Sequence, residues 1–311
     1  MLFSESWLRS YINPDLTTDE LCEAMTMAGL EVEEVSSVAP AFTGVVVARV
    51  LSVKDHENSD HLHICQVDVG DGGEPLQIVC GAPNVREGIL VPCAKIGAVL
   101  PGNFTIKKAK MRGEVSMGML CSARELGITE DHTGLWILPD DLTVGEDIRK
   151  ACHLDDKKIE IKLTPNRGDA LSLIGVARDL HAITGAPLTL PEMPEVPANS
   201  DTKIDIKIEA PDLCGRYTTR RIDNLNIHAP TPQWMKDRLE RSGQRSISAL
   251  VDISNYVMLE TGIPTHFSDA QKIVGGAYTV RWGKAGEKIE LLNGQTVDVD
   301  AELGVICDAN G

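Results

Sequence analysis

Gly44-Val-Val-Val-Ala-Arg-Val-Leu-Ser-Val53, followed by His63-Ile-Cys-Gln-Val-Asp-Val-Gly70, is the stretch that decides the fold. The first run is almost wholly apolar and rich in β-branched residues. In the second, Cys65, Val67 and Val69 alternate with Ile64, Gln66 and Asp68, the period of two that marks a strand with one face inward. Strand-like pieces follow at Leu76–Cys80 and Ile89–Ala94, separated by Gly, Pro and Asn. Short strands at this density over residues 43–153 predict a small closed or partly closed β-barrel, of the size at which the oligonucleotide-binding (OB) type occurs.

The flanks read differently. Thr17 and Glu20 form a T-x-x-E capping box, Leu16 and Leu21 have the spacing of a hydrophobic staple, and Leu21, Ala24, Met25 and Ala28 share one helical face that Gly29 is placed to end. A second helix is predicted after Thr164-Pro-Asn-Arg-Gly-Asp169, with Asp169 as its cap, Leu171, Ile174 and Leu180 on its apolar side, and Gly185 and Pro187 stopping it. Residues 191–200 carry three prolines and no periodicity, as a linker does. From residue 201 an α+β unit begins. Ile204, Ile206 and Ile208 alternate with charged residues; Thr231-Pro232 should open a helix with Trp234, Met235 and Leu239 inward; Asn293-Gly294 predicts a two-residue hairpin turn. The chain stops at Val305–Gly311, just after a predicted strand, which suggests a truncated domain.

Composition narrows the function classes. With 42% hydrophobic and 24% charged residues the chain can bury a core, and its N-terminus lacks a signal-peptide pattern, so a cytoplasmic protein without membrane spans is expected. Eight scattered cysteines without a C-x-x-C pair read as buried, reduced thiols. The net charge of −16 excludes a whole-surface nucleic-acid binder, and residues 1–42 alone hold one basic against eight acidic residues. Any RNA contact must come from a local basic patch.

Lys107, Lys108, Lys110 and Arg112 are the clearest such run, either a solvated face or a track for a phosphate backbone. Arg216, Arg220, Arg221, Arg238, Arg241 and Arg245 are a second candidate set. His56, Asp60, His61, His63 and Cys65 cluster as metal ligands might, but nothing downstream completes a tetrahedral set, and a polar strand edge near a binding loop is favoured over a metal site. Cys80 and Cys121-Ser122 lack an evident base and read as buried. No glycine-rich phosphate loop and no serine nucleophile elbow is present, so nothing in this chain is expected to bind ATP.

His56-Glu-Asn-Ser-Asp-His-Leu62, Ile78-Val-Cys-Gly-Ala-Pro-Asn84, Arg112-Gly-Glu-Val-Ser-Met-Gly-Met-Leu-Cys-Ser122 and Glu125-Leu-Gly127 together resemble the tRNA-binding OB module of certain aminoacyl-tRNA synthetases. The family usually has His-Pro-Asn-Ala-Asp where this chain has His-Glu-Asn-Ser-Asp. Before the module stands Met27-Ala-Gly-Leu-Glu-Val32; after it stand residues 164–169 and Gly175-Val-Ala-Arg-Asp179. Both flanks are similar to the phenylalanyl-tRNA synthetase β-subunit family. Pro230-Thr-Pro-Gln-Trp-Met235, Val251-Asp-Ile-Ser-Asn-Tyr256 and Gly262-Ile-Pro-Thr-His266 are similar to the start of that family's editing domain.

The resemblance implies an α+β multidomain chain. Residues 1–42 and 154–190 would form one small helical domain, 43–153 an OB barrel inserted in it, 191–200 a linker, and 201–311 the first part of an editing domain. It implies RNA contacts at Lys107, Lys108, Lys110, Arg112, Asn58 and Ser116, and an editing pocket using His266, Ser254 and Asn255. It also implies tRNA-Phe and a separate α subunit as partners in an α2β2 enzyme, with ATP and Mg2+ serving the full enzyme, no metal held by this part, and no DNA or membrane partner. Phe267 and Ser268 stand where the family commonly has Ala-Phe-Asp, and half a pocket should hydrolyse mischarged tRNA little or not at all. A stand-alone RNA-binding module and a metal-dependent hydrolase are the competing classes.

Overall fold

The computed structural model describes residues 1–129 and 133–310. Two compact units divide the chain, Met1–Leu190 with Thr231–Ser246 and Met258–Ile263 in the first, and Pro191–Pro230, Ile247–Val257 and Pro264–Gly311 in the second. No helix of the described residues is long and apolar enough to cross a membrane.

The first unit opens with β1 (Leu2–Ser4) and α1 (Glu5–Arg9), which starts where Trp7 N donates to Ser4 Oγ at 3.1 Å. α2 (Thr18–Met27) begins as predicted. Glu20 N donates to Thr17 Oγ1 at 3.3 Å and Thr17 N to Glu20 Oε2 at 2.8 Å, satisfying two otherwise unpaired donors. Leu21 and Met25 are buried, and Gly29 ends the helix at φ +93°. β2 (Glu31–Ser37) follows, an exposed strand whose acidic sequence gave no strand signal.

Next come β3 (Thr43–Asp55), β4 (His63–Asp68), β5 (Leu76–Cys80) and β6 (Leu90–Leu100), with β7 (Phe104–Thr105), the hairpin of β8 (Ala109–Met111) and β9 (Glu114–Ser116), and β10 (Gly118–Leu120). Their main sheet runs β10-β6-β3-β4-β5, antiparallel throughout, with β7 added to β6. It curls until Met117 N donates to Gln77 O at 2.9 Å, bringing the chain after β9 onto β5. β3 is apolar on both sides because it has core on both. Val45 and Val47 pack with Leu90, Leu126 and Ile148, whereas Val46, Ala48 and Val50 pack with Cys65, Ile78 and Val91. β6 outruns the apolar stretch Ile89–Ala94 because its second half, from Lys95, is partly exposed. Near that end β3 slips register between Thr43 and Val45, where Gly44 (φ +76°) approaches so closely that a Cβ would lie 2.8 Å from Ala98 Cα.

α3 (Ile148–Ala151) leads to β11 (Lys157–Lys162), which pairs antiparallel with both β1 and β2, so strands from either side of the curled sheet share one three-stranded sheet. Between them sits Asp156. Its carboxylate accepts from Ser4 Oγ (2.6 Å), Ser6 N (2.9 Å), Ser6 Oγ (2.8 Å), Lys157 N (2.8 Å) and the Arg241 guanidinium (3.0 Å). Arg241 closes α5 (Gln233–Arg241).

Three local expectations need correction. α4 (Leu173–Thr184) is capped by Ser172, whose Oγ accepts from Gly175 N at 3.0 Å; Asp169 lies in the preceding turn, and Leu171, outside the helix, is exposed. Helix α5 buries Met235 and Leu239, but Trp234 faces outward under the Arg238 guanidinium, 5.6 Å from its ring centroid. The third concerns the second unit, which holds α6 (Ala249–Thr261) through Val257, β12 (Asp205–Ile208), β13 (Ala277–Trp282), the hairpin of β14 (Glu287–Glu290) and β15 (Thr296–Val299), and β16 (Gly304–Cys307). β13 pairs parallel with β12 and antiparallel with β16. Glu290 pairs with Thr296, so the hairpin loop is longer than two residues. Gly294 N donates to Leu291 O at 2.8 Å with Gly294 at φ +78°, a turn closed by a left-handed glycine.

Candidate nucleic-acid interface

Lys107, Lys108, Lys110 and Arg112 are all exposed, and none forms an ion pair with a described residue. They lie on and beside the β8–β9 hairpin. Pairing of Met111 with Glu114 leaves Arg112-Gly113 as a two-residue turn with φ +46° and +106°, the doubly left-handed turn that suits strand twist. The β9 strand of the hairpin is fixed next to the turn by Gln77, whose Nε2 donates to Glu114 Oε2 and Val115 O, each at 3.0 Å. Its tip is tied where Arg112 Nη1 donates to Asn58 O at 3.0 Å. Asn58 is exposed beside the cations. Ser116 is not: it is 1% exposed, and its hydroxyl donates to Gly118 O (2.8 Å) while accepting from Val79 N (3.1 Å). That residue holds β5 and β9 together rather than meeting solvent.

Two features escaped the sequence reading. Phe104, 59% exposed, stands on β7 three residues before Lys107; an aromatic in a Gly-Asn turn beside lysines was the available signal. Asn84 bridges two loops, accepting from Leu135 N at 2.8 Å and donating to Leu135 O at 2.9 Å. A Cβ on neighbouring Gly134 would lie 2.3 Å from Asn84 Oδ1.

The His56–Cys65 cluster does not share a strand face. β4 starts at His63, leaving His61 in the loop beside Asp60 at 2.9 Å, while Cys65 points into the core, where burial pushes its thiol up to about 12. Burial also raises the thiols of Cys80, Cys93 (to about 12) and Cys121, the opposite of what a nucleophile needs. All eight cysteines are free.

The second arginine set disperses. Arg216, Arg220 and Arg221 are exposed in the second unit. In the first, Arg241 is committed to Asp156, and Arg238 lies over both Trp7 (5.3 Å) and Trp234. A groove of about 940 Å³ near these residues is lined in part by Trp136, Ile137, Cys152 and Trp234.

In the second unit, Ser254 Oγ donates to Thr265 O at 2.6 Å and accepts from Thr265 Oγ1 at 3.0 Å, fixing the chain one residue before His266. His266 is exposed and Asn255 half-buried. A depression of about 360 Å³ lies nearby in sequence, lined by Ser268, Asp269, Lys272 and Tyr278 among others, but not by His266, Ser254 or Asn255.

Residues 45–147 match the family described as "Putative tRNA binding domain", and residues 213–311 match the B3/4 domain family. The chain is 59% identical over 99% of its length to a Phenylalanine–tRNA ligase beta subunit of Cupriavidus pinatubonensis, and 58% identical over 98% of its length to one of Bordetella parapertussis. It spans 38% of the length of each. Among solved structures, a MetRS-related protein from Pyrococcus horikoshii is similar over 33% of this chain at 22% identity and a TM-score of 0.26, too low to bear on the fold.

Proposed function

We propose, for a chain that belongs with the phenylalanine–tRNA ligase β subunits over its whole length, a part in that enzyme's handling of tRNA-Phe rather than in amino-acid activation. Residues 43–153 are read as an OB-type barrel set between residues 1–42 and 154–190 of an α+β host. Residues 201–311, after the 191–200 segment, are read as the first part of an editing domain. In the complete α2β2 enzyme the α subunit would supply the ATP- and Mg2+-dependent chemistry. A cytoplasmic setting fits eight free thiols.

One observation carries the RNA reading. Four exposed cations, none ion-paired to a described residue, are gathered on and beside one anchored hairpin of an acidic body, inside the segment that matches a tRNA-binding family. Asn58 stands at its tip. The editing reading rests on His266, whose neighbour Thr265 is bonded to Ser254, with Asn255 next to Ser254 on α6. The need for such a site is physical, because an apolar pocket rejects the extra hydroxyl of tyrosine by only about 10².

The test is fluorescence anisotropy of tRNA-Phe against the 311-residue chain and its Lys107→Ala/Lys108→Ala/Lys110→Ala/Arg112→Ala variant, from 50 to 200 mM KCl. Loss of four phosphate-facing cations should weaken binding at least tenfold and flatten the slope of log K against log salt by about 3. Unchanged affinity and slope would refute the assignment of this hairpin.

A further inference from the structure

The loop before β4 and the tip of the basic hairpin are joined by a histidine that is 97% buried. His56 is 3% exposed, although it lies in a polar loop of exposed neighbours. Asn58 N donates to its Nδ1 at 3.1 Å, which leaves Nε2 as the protonated nitrogen, and Nε2 lies 3.2 Å from Met111 O, the carbonyl directly before Arg112. The histidine's own backbone closes the loop, with His56 N donating to Leu62 O and Ser59 N donating to His56 O, both at 3.1 Å. Arg112 Nη1 completes the circuit by donating to Asn58 O at 3.0 Å. One imidazole thus fixes the turn that presents the Asn58 carbonyl and the turn that carries Arg112.

We infer that His56 is a positioning residue for RNA binding, bridging the 56–62 loop to the β8–β9 tip so that Arg112 and Lys110 are presented to the phosphate backbone as a fixed pair. The inference rests on the RNA reading above. It does not need His56 to touch RNA, and its burial keeps it from doing so. The chemistry accounts for the residue type. The bridge needs an acceptor close to the main chain, for Asn58 N, and a donor further out, for Met111 O. Neutral imidazole supplies both on a rigid ring. Arg112 sits at φ +46°, a conformation that a non-glycine residue adopts only when its surroundings hold it there, and the bond to the preceding carbonyl does so.

Two substitutions separate bridging from loop folding. His56→Asn keeps an acceptor near the position of Nδ1, so the local turn to Asn58 survives, but it cannot reach Met111. His56→Gln extends an amide N–H to about the position of Nε2 and restores the bridge. Anisotropy of tRNA-Phe across 50–200 mM KCl, with thermal melts as a folding control, should show His56→Asn folded but at least fivefold weaker, with the salt slope flattened by about 1, the share of one lost phosphate contact. His56→Gln should recover most of both. Hydrogen exchange at residues 109–116 should accelerate in His56→Asn and not in His56→Gln. If His56→Asn keeps wild-type affinity and slope while the four-cation variant loses them, the bridge is overturned and the RNA reading stands. If the four-cation variant also binds normally, the RNA reading itself has failed.

Discussion

Replacing Asp156 by alanine should destabilise the first unit far more than replacing its partner Arg241 does, and the structure says by how much. The carboxylate is 3% exposed and accepts five hydrogen bonds, from two serine hydroxyls, two backbone N–H groups and Arg241. Its loss strands the Arg241 guanidinium, 11% exposed, which among the described residues keeps only the bond from Nη2 to Cys152 O at 3.0 Å. Breaking a buried pair in this way costs about 3–5 kcal/mol, a fall in melting temperature of roughly 6–20 °C for a body of this size. The reverse change is milder. With Arg241→Met the carboxylate still accepts four bonds, from Ser4 Oγ, Ser6 N, Ser6 Oγ and Lys157 N, so it is not left without partners. That variant should cost about 1–3 kcal/mol less than Asp156→Ala. Urea denaturation of both singles and the double at pH 7.5 decides the matter. Equal costs for the two singles, with the double no worse than either, would make the ion pair the whole story and refute the role of Ser4 and Ser6.

Other expectations follow from burial and backbone geometry. Cys65 and Cys93 are held near 12 by burial, above the ordinary thiol value of 9.0, so the folded state keeps protons that the unfolded chain gives up; stability should be full below pH 9 and fall between pH 9 and 12 by up to about 1.4 kcal/mol per unit for each thiol. Urea midpoints at pH 8, 9 and 10 should drop less steeply in Cys65→Ala than in wild type, and parallel curves would contradict this. Gly44 and Gly97 both have positive φ, but only Gly44 meets backbone, so Gly44→Ala should cost about 2–3 kcal/mol and Gly97→Ala about 1 kcal/mol by the same measurement.

How much of this was legible depended on whether one short stretch contained both partners of the decisive interaction. The α2 cap was readable because Thr17 and Glu20 satisfy each other three residues apart, and β4 because Cys65 and Val67 alternate toward a single core. β3 was readable for a different reason, having apolar surroundings on both faces. β2 and β11 were not: Glu31–Ser37 is largely solvent-exposed, and its strand conformation is fixed by β11, more than a hundred residues away. Spacing points to Asp169 as the cap of α4 and misses Ser172, because the choice turns on Gly175. A Cβ there would lie 2.1 Å from Asp169 O, so the glycine lets the Asp169 turn lie on the first turn of the helix and leaves Ser172 to cap it. Trp234 was misplaced because apolar periodicity does not register a guanidinium stacked on an aromatic face.

The residues that made the curled sheet recognisable are, on inspection of their bonds, mostly not those available to touch RNA. Ser116 is sealed between Val79 N and Gly118 O, Asn84 is clamped to both backbone groups of Leu135, and His56 joins two turns from inside. Each solves a geometric problem with few chemical solutions, and a problem with few solutions leaves a specific residue at a specific spacing. The exposed cations solve a looser one. A phosphate backbone accepts any well-placed positive charge, so Lys107, Lys108 and Lys110 can shift or exchange at little loss, and a run of this kind is indistinguishable from a solvated face in sequence alone. The motif therefore reports the frame with high specificity and the contacts with low specificity. It follows that Ser116 belongs with the frame despite standing in the most recognisable block, and that, under the proposed RNA role, the hairpin's affinity for RNA should depend as much on the buried imidazole behind it as on any one lysine upon it.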